Sequence, residues 1–304
     1  MQKISKNQFP FILLAIILVL LIIGGFFDYQ ISKGIMNQGS LFGTAFQNYG
    51  MFPKTLVLFL AGQVVAARGY KAEKKEIGAL ILILAGLGFA LFSAFQCVDG
   101  WLYYTYSSLN NVKEGLLLGV ANNDGGHPIS FPYSLKVGIG LVLWLIGSGL
   151  SFKWLSGKSK EQMNYLSVVA LAGVAVVFTS DTVVDTMKNL WGRFRPYEIF
   201  GSVEGAHYTP WWQINGVNGH KSFPSGHSQI GWLALYLPFF VDRKNLKLQS
   251  LLVKITAIFG LLMASSRVII GAHFLSDVTV GSTITILIIF IASRLMNAKF
   301  VEEK

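Results

Sequence analysis

Long apolar runs separated by short polar stretches dominate the chain. A run of about 20 apolar residues is the length that an α-helix needs to cross the hydrocarbon core of a bilayer. The pattern predicts eight such spans, at residues 9–27, 52–67, 77–97, 135–155, 165–187, 228–241, 251–266 and 278–296. We therefore expect an all-α integral membrane protein.

Composition supports this class, because 53% of the residues are hydrophobic and only 13% are charged. The net charge of +10 would suggest nucleic acid in a soluble protein, but here the basic residues lie mainly in short connections between apolar runs. We expect no nucleic-acid partner.

The first run lacks a small-x-small cleavage site around Gly24–Phe27, so we interpret it as a retained helix and not a signal peptide. The single cysteine, Cys97, excludes an intrachain disulfide.

The distribution of lysine and arginine predicts the orientation. With both termini in the cytoplasm of a plasma or inner membrane, most of the 25 basic residues fall on the cytoplasmic side. Residues 98–134 would then form an outer loop at the headgroup level, because Trp and Tyr cluster there. Five basic residues depart from the trend, all around the same histidine turn: Lys188, Arg193, Arg195, Lys221 and Arg267.

Three polar segments at the predicted outer surface carry candidate chemistry. They are Lys188-x6-Arg195-Pro196, Pro224-Ser225-Gly226-His227 and Ser266-Arg267-x5-His273-x3-Asp277. A cluster of cations suits a phosphate, whose oxygens match the planar fork of arginine. His273 and Asp277 are four residues apart, so the carboxylate can accept a hydrogen bond from one ring nitrogen and leave the other free as a nucleophile or base. His227 is then available as a general acid.

These segments resemble the signature of the type 2 phosphatidic acid phosphatase (PAP2) superfamily, which includes lipid phosphate phosphatases, undecaprenyl-pyrophosphate phosphatases and vanadium haloperoxidases. Every specified position of the three-part signature is present, in order and at the right spacing. The resemblance implies a six-helix core over residues 77–297 with an active-site loop at 188–227. Residues 1–76 would add two N-terminal transmembrane helices, and residues 298–304 would form a cytoplasmic tail.

The resemblance also implies residue roles. His273 would be the nucleophile that forms a phosphohistidine, Asp277 would orient it, and His227 would protonate the leaving group and later activate water. The phosphate clamp would consist of Lys188, Arg195 and Arg267, with the Ser225 hydroxyl and the Gly226 N–H as further donors. The family needs no metal or other cofactor. Arg193 would contact either the phosphate or lipid headgroups.

The function expected is a membrane phosphatase acting on a lipid phosphate or diphosphate of the undecaprenyl diphosphate, phosphatidate or phosphatidylglycerophosphate class. A lipid phosphotransferase remains an alternative, because an alcohol could replace water at the same intermediate. A lipid transporter or flippase is suggested by Asp181 and Asp185, which share one face of a predicted span. The absence of a repeat of broken helices disfavours it. A haloperoxidase is disfavoured because that chemistry is associated with soluble members.

Overall fold

The structure, a computed structural model, describes residues 9–73, 76–120, 129–201 and 203–298. Its α-helices are α1 (Phe9–Ile35), α2 (Leu41–Tyr49), α3 (Phe52–Tyr70), α4 (Ile77–Lys113), α5 (Tyr133–Ser156), α6 (Lys160–Trp191), α7 (Pro196–Phe200), α8 (Gly226–Trp232), α9 (Leu246–Ile269) and α10 (Leu275–Leu295), and a 3₁₀-helix follows α8 at Leu233–Phe240. The described residues contain no β-strand. The prediction of an all-α protein is confirmed.

Seven helical segments are long and apolar enough to cross a membrane: Phe11–Ile35, Leu41–Tyr70, Ile77–Lys113, Tyr133–Ser156, Lys160–Phe200, Leu246–Ile269 and Leu275–Leu295. The chain is therefore a multi-pass membrane protein with seven candidate spans among the described residues, where the sequence predicted eight. The difference lies at the predicted span 228–241, which is divided between the short helix α8 and the 3₁₀-helix.

The segment formed by α8 and the 3₁₀-helix nevertheless runs the length of the helix bundle. At its start, a Cβ added to Gly226 would lie 3.3 Å from Cε of Lys188, near the end of α6. After its end, Asp242 accepts a hydrogen bond from Gln162, in the first turn of α6. A 3₁₀-helix rises about 2.0 Å per residue against about 1.5 Å for an α-helix. The extended rise lets a short segment run antiparallel to α6 over most of its length.

The apolar core lies between α3, α6, the 3₁₀-helix and α10. Its buried side chains include Val57 of α3, Val177 of α6, Tyr236 of the 3₁₀-helix and Ile289 of α10. Most of the large apolar side chains that remain exposed belong to the candidate spans, as a lipid solvent requires. The N-terminal helix α3 thus packs in one core with α6 and α10.

Helix α4 is longer than expected. Residues 98–113, which we predicted to be part of an outer loop, continue this helix, and the irregular chain begins only after Lys113. The aromatic side chains of the extension pack against neighbouring elements, with the Trp101 ring 6.3 Å from Tyr49 and the Tyr106 ring 5.9 Å from Phe131. These contacts stabilise helical backbone where an interfacial loop was expected. Residues 121–128 of the predicted loop lie outside the described residues.

Candidate active site

The three sequence motifs meet at one end of the helix bundle. Lys188 lies in the last turn of α6, Arg195 directly precedes α7, and His227 lies in the first turn of α8. Arg267 lies in the last turn of α9, and His273 two residues before α10. Helix α6 ends at Gly192, whose left-handed conformation (φ 51°) reverses the chain between the two halves of the first motif. We call this end of the bundle the motif end.

His273 is buried with a defined tautomer. Its Nδ1 lies 2.7 Å from the carbonyl oxygen of Ser222, which can only accept, so Nδ1 carries the proton and donates it. Asp277 Oδ2 lies 3.7 Å from the same nitrogen, so the carboxylate we predicted to orient the ring shares this task with a nearer backbone carbonyl. Nε2 is left with a lone pair, 3.3 Å from Nη1 of Arg195.

The ionisation of His273 suits a nucleophile. Burial lowers its pKa to about 3, with the positive charges of Arg195 and Lys188 acting in the same direction and Asp277 opposing them. The ring is therefore neutral at physiological pH, and Nε2 presents an unprotonated lone pair beside a cationic side chain.

Asp277 connects the start of α10 to the second motif. Its Oδ2 accepts hydrogen bonds from the Ser222 hydroxyl (2.6 Å) and the Phe274 N–H (2.9 Å), while its backbone carbonyl accepts from the Ser225 N–H at 3.0 Å. Ser222 contacts both members of the dyad, through its carbonyl to His273 and its hydroxyl to Asp277. It precedes the Pro-Ser-Gly-His turn, and sequence reasoning missed it.

Arg195 and Lys188 are held at the site by backbone contacts. Nη1 of Arg195 donates a hydrogen bond to the Ala272 carbonyl at 3.2 Å. The backbone N–H of Arg195 donates to Oε2 of Glu198 at 2.5 Å. Lys188 donates from Nζ to the carbonyl of Lys221 at 2.9 Å. These carbonyl contacts hold the two cationic side chains beside His273 and the Pro-Ser-Gly-His turn.

Arg267 is fixed by a helix that the motifs do not include. It donates from Nη1 to Oε1 of Gln47 (3.1 Å) and from Nη2 to the Gly43 carbonyl (2.7 Å), both in α2. Each terminal nitrogen carries a second hydrogen that remains able to donate. Sequence reasoning missed Gln47, because the Gly/Asn/Gln-rich segment before residue 52 was expected to be a connector, whereas it contains the helix α2.

His227 is partly buried, and its Nε2 atom is fully buried. Its Nε2 has no hydrogen-bond partner among the described residues, and its ring lies edge-on to Tyr104 at 5.4 Å. Burial lowers its pKa well below the usual value, and the positive charges of Arg267, Arg195 and Lys188 lower it further. A phosphate bound among these cations would oppose them and favour the protonated ring that a general acid requires.

Ser225 caps α8. Its buried hydroxyl oxygen accepts from the Ser228 N–H at 3.3 Å and from the Ser228 hydroxyl at 3.0 Å. The Gly226 N–H follows directly, in the first turn of the helix, where backbone N–H groups have no acceptor within the helix. The local sequence thus presents a helix N-terminus toward the Lys188 side chain.

Arg193 does not lie where the sequence suggested. Its side chain is fully buried and contacts Asp277 and Asp28, so neither of the two alternatives, phosphate or lipid headgroup, describes it. The loop histidine His220 is similarly occupied: it pairs with Glu198 at 2.8 Å, and its ring lies 3.8 Å from that of Phe194. Both side chains hold the segment that positions Arg195.

Asp181, whose place within a span raised the transporter alternative, is paired. It contacts Nζ of Lys54 at 2.6 Å and accepts from Gln229 at 3.1 Å. These contacts join α3, α6 and α8 below the motif end, so they account for a carboxylate within a span.

At the motif end the structure brings together the unprotonated Nε2 of His273, the His227 ring, whose buried Nε2 has no hydrogen-bond partner among the described residues, and three cationic side chains. Residues 162–300 match the PAP2 superfamily. This part of the chain is therefore similar to the PAP2 superfamily, whose members are typically metal-independent phosphatases. The matched region begins in the first turn of α6 and lies within the core predicted for residues 77–297, apart from its last three residues. No curated protein and no solved structure matched the chain.

The region that matches the PAP2 superfamily contains all three motifs, but it does not contain every residue at the site. Asp28, Gln47 and Tyr104 come from α1, α2 and α4, which precede the matched region, and each contacts a motif residue or its direct partner. A multi-pass membrane protein with a region similar to the PAP2 superfamily is consistent with a lipid phosphate phosphatase.

Proposed function

We propose that the protein is an integral-membrane phosphatase that hydrolyses a lipid phosphate or lipid diphosphate at the extracytoplasmic face through a phosphohistidine at His273. The observation that carries the proposal is the position of His273 Nε2, which is unprotonated and accepts a hydrogen bond from Nη1 of Arg195 at 3.3 Å. A phosphoryl group held by that guanidinium would place its phosphorus within reach of the nucleophile.

The first chemical step follows from this arrangement. Arg195, Arg267 and Lys188 would bind the phosphate oxygens and stabilise the charge of the transition state. His273 Nε2 would attack phosphorus, forming a P–N bond as the bond to the lipid oxygen breaks. His227 would donate its proton to that oxygen, so the lipid leaves as a neutral alcohol or, from a diphosphate, as a protonated phosphate.

The second step releases phosphate. His227, now neutral, would take a proton from water, whose oxygen attacks the phosphohistidine as the P–N bond breaks. Inorganic phosphate leaves, and both histidines return to their starting states. The Nδ1–H bond to the Ser222 carbonyl keeps the ring of His273 in place through both steps.

A lipid substrate is supported by the location of the site at the ends of membrane-spanning helices. Arg195 and His273 are buried among these ends, where a phosphate on an acyl or polyprenyl chain can lie with its tail in the bilayer. The charge asymmetry of the connections supports an extracytoplasmic site. A phosphotransferase would use the same first step, with an alcohol in place of water in the second.

The test is phosphate release by the purified protein in detergent, with EDTA present, from a panel of phosphatidate, phosphatidylglycerophosphate and polyprenyl diphosphate. We expect release to persist in EDTA and to fall about 10³-fold or more in His273→Ala, because the nucleophile is lost. His207→Ala is the matched control, since this exposed loop histidine contacts the Gly205 carbonyl and the Phe194 ring, and the variant should leave the rate unchanged.

Each alternative outcome is informative. Equal activity of wild type and His273→Ala would refute the phosphohistidine. Phosphate release that appears only when an acceptor alcohol is added, with formation of a phosphorylated alcohol, would identify a phosphotransferase.

A further inference from the structure

We propose that Asp28 of α1 is a positioning residue for this site, acting through Arg193 on the carboxylate of Asp277. The proposal rests on the function proposed above and adds a residue that lies outside the region that matches the PAP2 superfamily. It also gives the N-terminal helix a role in the chemistry.

Arg193 is the centre of the arrangement. Its Nη1 donates to Asp277 Oδ1 at 2.5 Å and to the Ser276 hydroxyl at 2.9 Å, while Nη2 donates to Asp28 Oδ2 at 3.1 Å. Nε donates to the Thr209 carbonyl at 2.9 Å. One planar fork therefore joins two carboxylates from helices at opposite ends of the sequence, a geometry that lysine could not reproduce.

Asp28 is held as firmly as its partner. Its Oδ1 accepts from the Ser276 N–H at 3.0 Å, and Oδ2 accepts from the Ser276 hydroxyl in addition to Arg193. Helix α1 approaches α10 closely at this point, since a Cβ added to Gly24 would lie 2.9 Å from Cβ of Ser276. Asp28 thus fixes both Arg193 and the residue that directly precedes Asp277.

The charges explain why an acid is needed at this position. Arg193, Asp28 and Asp277 are all fully buried, so each charge is felt strongly by its neighbours. With Arg193 alone, the guanidinium would offset most of the negative charge of Asp277. Asp28 neutralises part of the guanidinium, so more of the negative charge of Asp277 remains to stabilise His273 as positive charge develops on its ring during attack.

The packing of α1 supports a polar role over an apolar one. Its buried positions among residues 11–35 are Gly24, Asp28 and Ser32. They follow one another at intervals of four residues, so they lie on one face of the helix. Most of the large apolar side chains of α1 are exposed. A helix that buries a glycine, an aspartate and a serine against the protein adds little hydrophobic stabilisation, and its docked face centres on Arg193.

The first variant is Asp28→Asn, which keeps the shape and removes the charge. We expect kcat to fall about 10- to 100-fold with KM within about twofold of wild type, because the nucleophile is less well oriented and less basic while the phosphate clamp is untouched. Thermal stability and elution profile in detergent should show that the variant is folded.

Inhibition by orthovanadate and by inorganic phosphate separates positioning from general damage. Vanadate adopts the five-coordinate geometry of the transition state only by bonding to Nε2 of His273, whereas phosphate needs only the cations. Asp28→Asn should therefore raise the inhibition constant of vanadate about 10-fold or more and leave that of phosphate nearly unchanged.

Ser32→Ala is the matched control on the same buried face. Ser32 lies one turn beyond Asp28, and its hydroxyl has no hydrogen-bond partner among the described residues. This variant should match wild type in kcat and in both inhibition constants.

If Asp28→Asn does not fold, Gly24→Ala also tests the positioning role of α1. It displaces α1 at Ser276 without changing a charge, and it should lower kcat without changing KM.

The proposal is wrong if folded Asp28→Asn keeps wild-type kcat, if phosphate and vanadate inhibition weaken together, or if Ser32→Ala shows the same losses. The proposed function itself is judged separately by the wild-type protein. An inactive wild type refutes the function, whereas an active wild type with an equally active Asp28→Asn refutes only the positioning role.

Discussion

His273, which is buried, and His227, which is partly buried, have different surroundings that fit the different roles we propose for them. Both have a lowered pKa because burial disfavours the charged ring. His273 is fixed by the Ser222 carbonyl and directs a lone pair at Arg195, whereas His227 has a buried nitrogen without a partner in the described part of the chain. An unsatisfied buried nitrogen is costly in the free protein, which is consistent with a group that bonds to substrate.

A leaving-group comparison tests the role of His227. His227→Ala should slow cleavage of a lipid phosphate about 10²- to 10⁴-fold, because the lipid oxygen leaves poorly without a proton. Phosphoenzyme formation from p-nitrophenyl phosphate should be affected much less, since p-nitrophenolate leaves unprotonated. Rapid-quench measurement of the burst gives both rates, and equal losses for the two substrates would rule out a general acid at this position.

At the scale of elements, the first two helices contribute polar side chains to a site whose motifs lie in the C-terminal half of the chain. Helix α1 supplies Asp28 to Arg193, and α2 supplies Gln47 and the Gly43 carbonyl to Arg267. Both arginines are fully or nearly fully buried and depend on these acceptors, because a buried cation without hydrogen-bond partners is strongly unfavourable.

Gln47→Ala tests the contribution of α2. Loss of one hydrogen bond to a charged group should let Arg267 move and weaken inhibition by inorganic phosphate about 5- to 10-fold, with a corresponding rise in KM. Asn48→Ala is a matched control, because it also truncates a buried amide of α2, but one that contacts Ser108 and not Arg267. Both variants should lose thermal stability, and only the first should lose phosphate affinity; equal phosphate affinity in the two would contradict the role of Gln47.

For the whole molecule, the segment formed by α8 and the 3₁₀-helix determines how the chain threads the bundle. It starts beside Lys188 and ends beside Gln162, so it connects the two ends of α6 even though it is not one of the seven candidate spans. This path puts the motif end and the connection between α5 and α6 at opposite ends of the bundle. The charge distribution is the basis for our proposal that the motif end is extracytoplasmic.

Cysteine labelling tests this orientation. The starting variant is Cys97→Ser, which removes the single native thiol. Val217→Cys introduces a thiol in the exposed loop at the motif end, and Gly157→Cys introduces one in the connection at the other end of the bundle. An impermeant maleimide should label Val217→Cys in intact cells and Gly157→Cys only after permeabilisation. The reverse pattern would place the site in the cytoplasm and exclude an outer-leaflet substrate.

The sequence by itself determined the all-α membrane class and predicted the motif residues that meet at one end of the bundle. Helix length follows from the length of apolar runs, and the motifs lie in short segments whose spacing is local. Only the tertiary structure decided that Arg193 binds carboxylates, that α1 and α2 reach the site, that α4 continues through residues 98–113, and that residues 233–240 form a 3₁₀-helix. Asp28 and Arg193 are separated by 165 positions. A contact between single polar residues so far apart leaves no periodic pattern, because it exists only once the helices have packed.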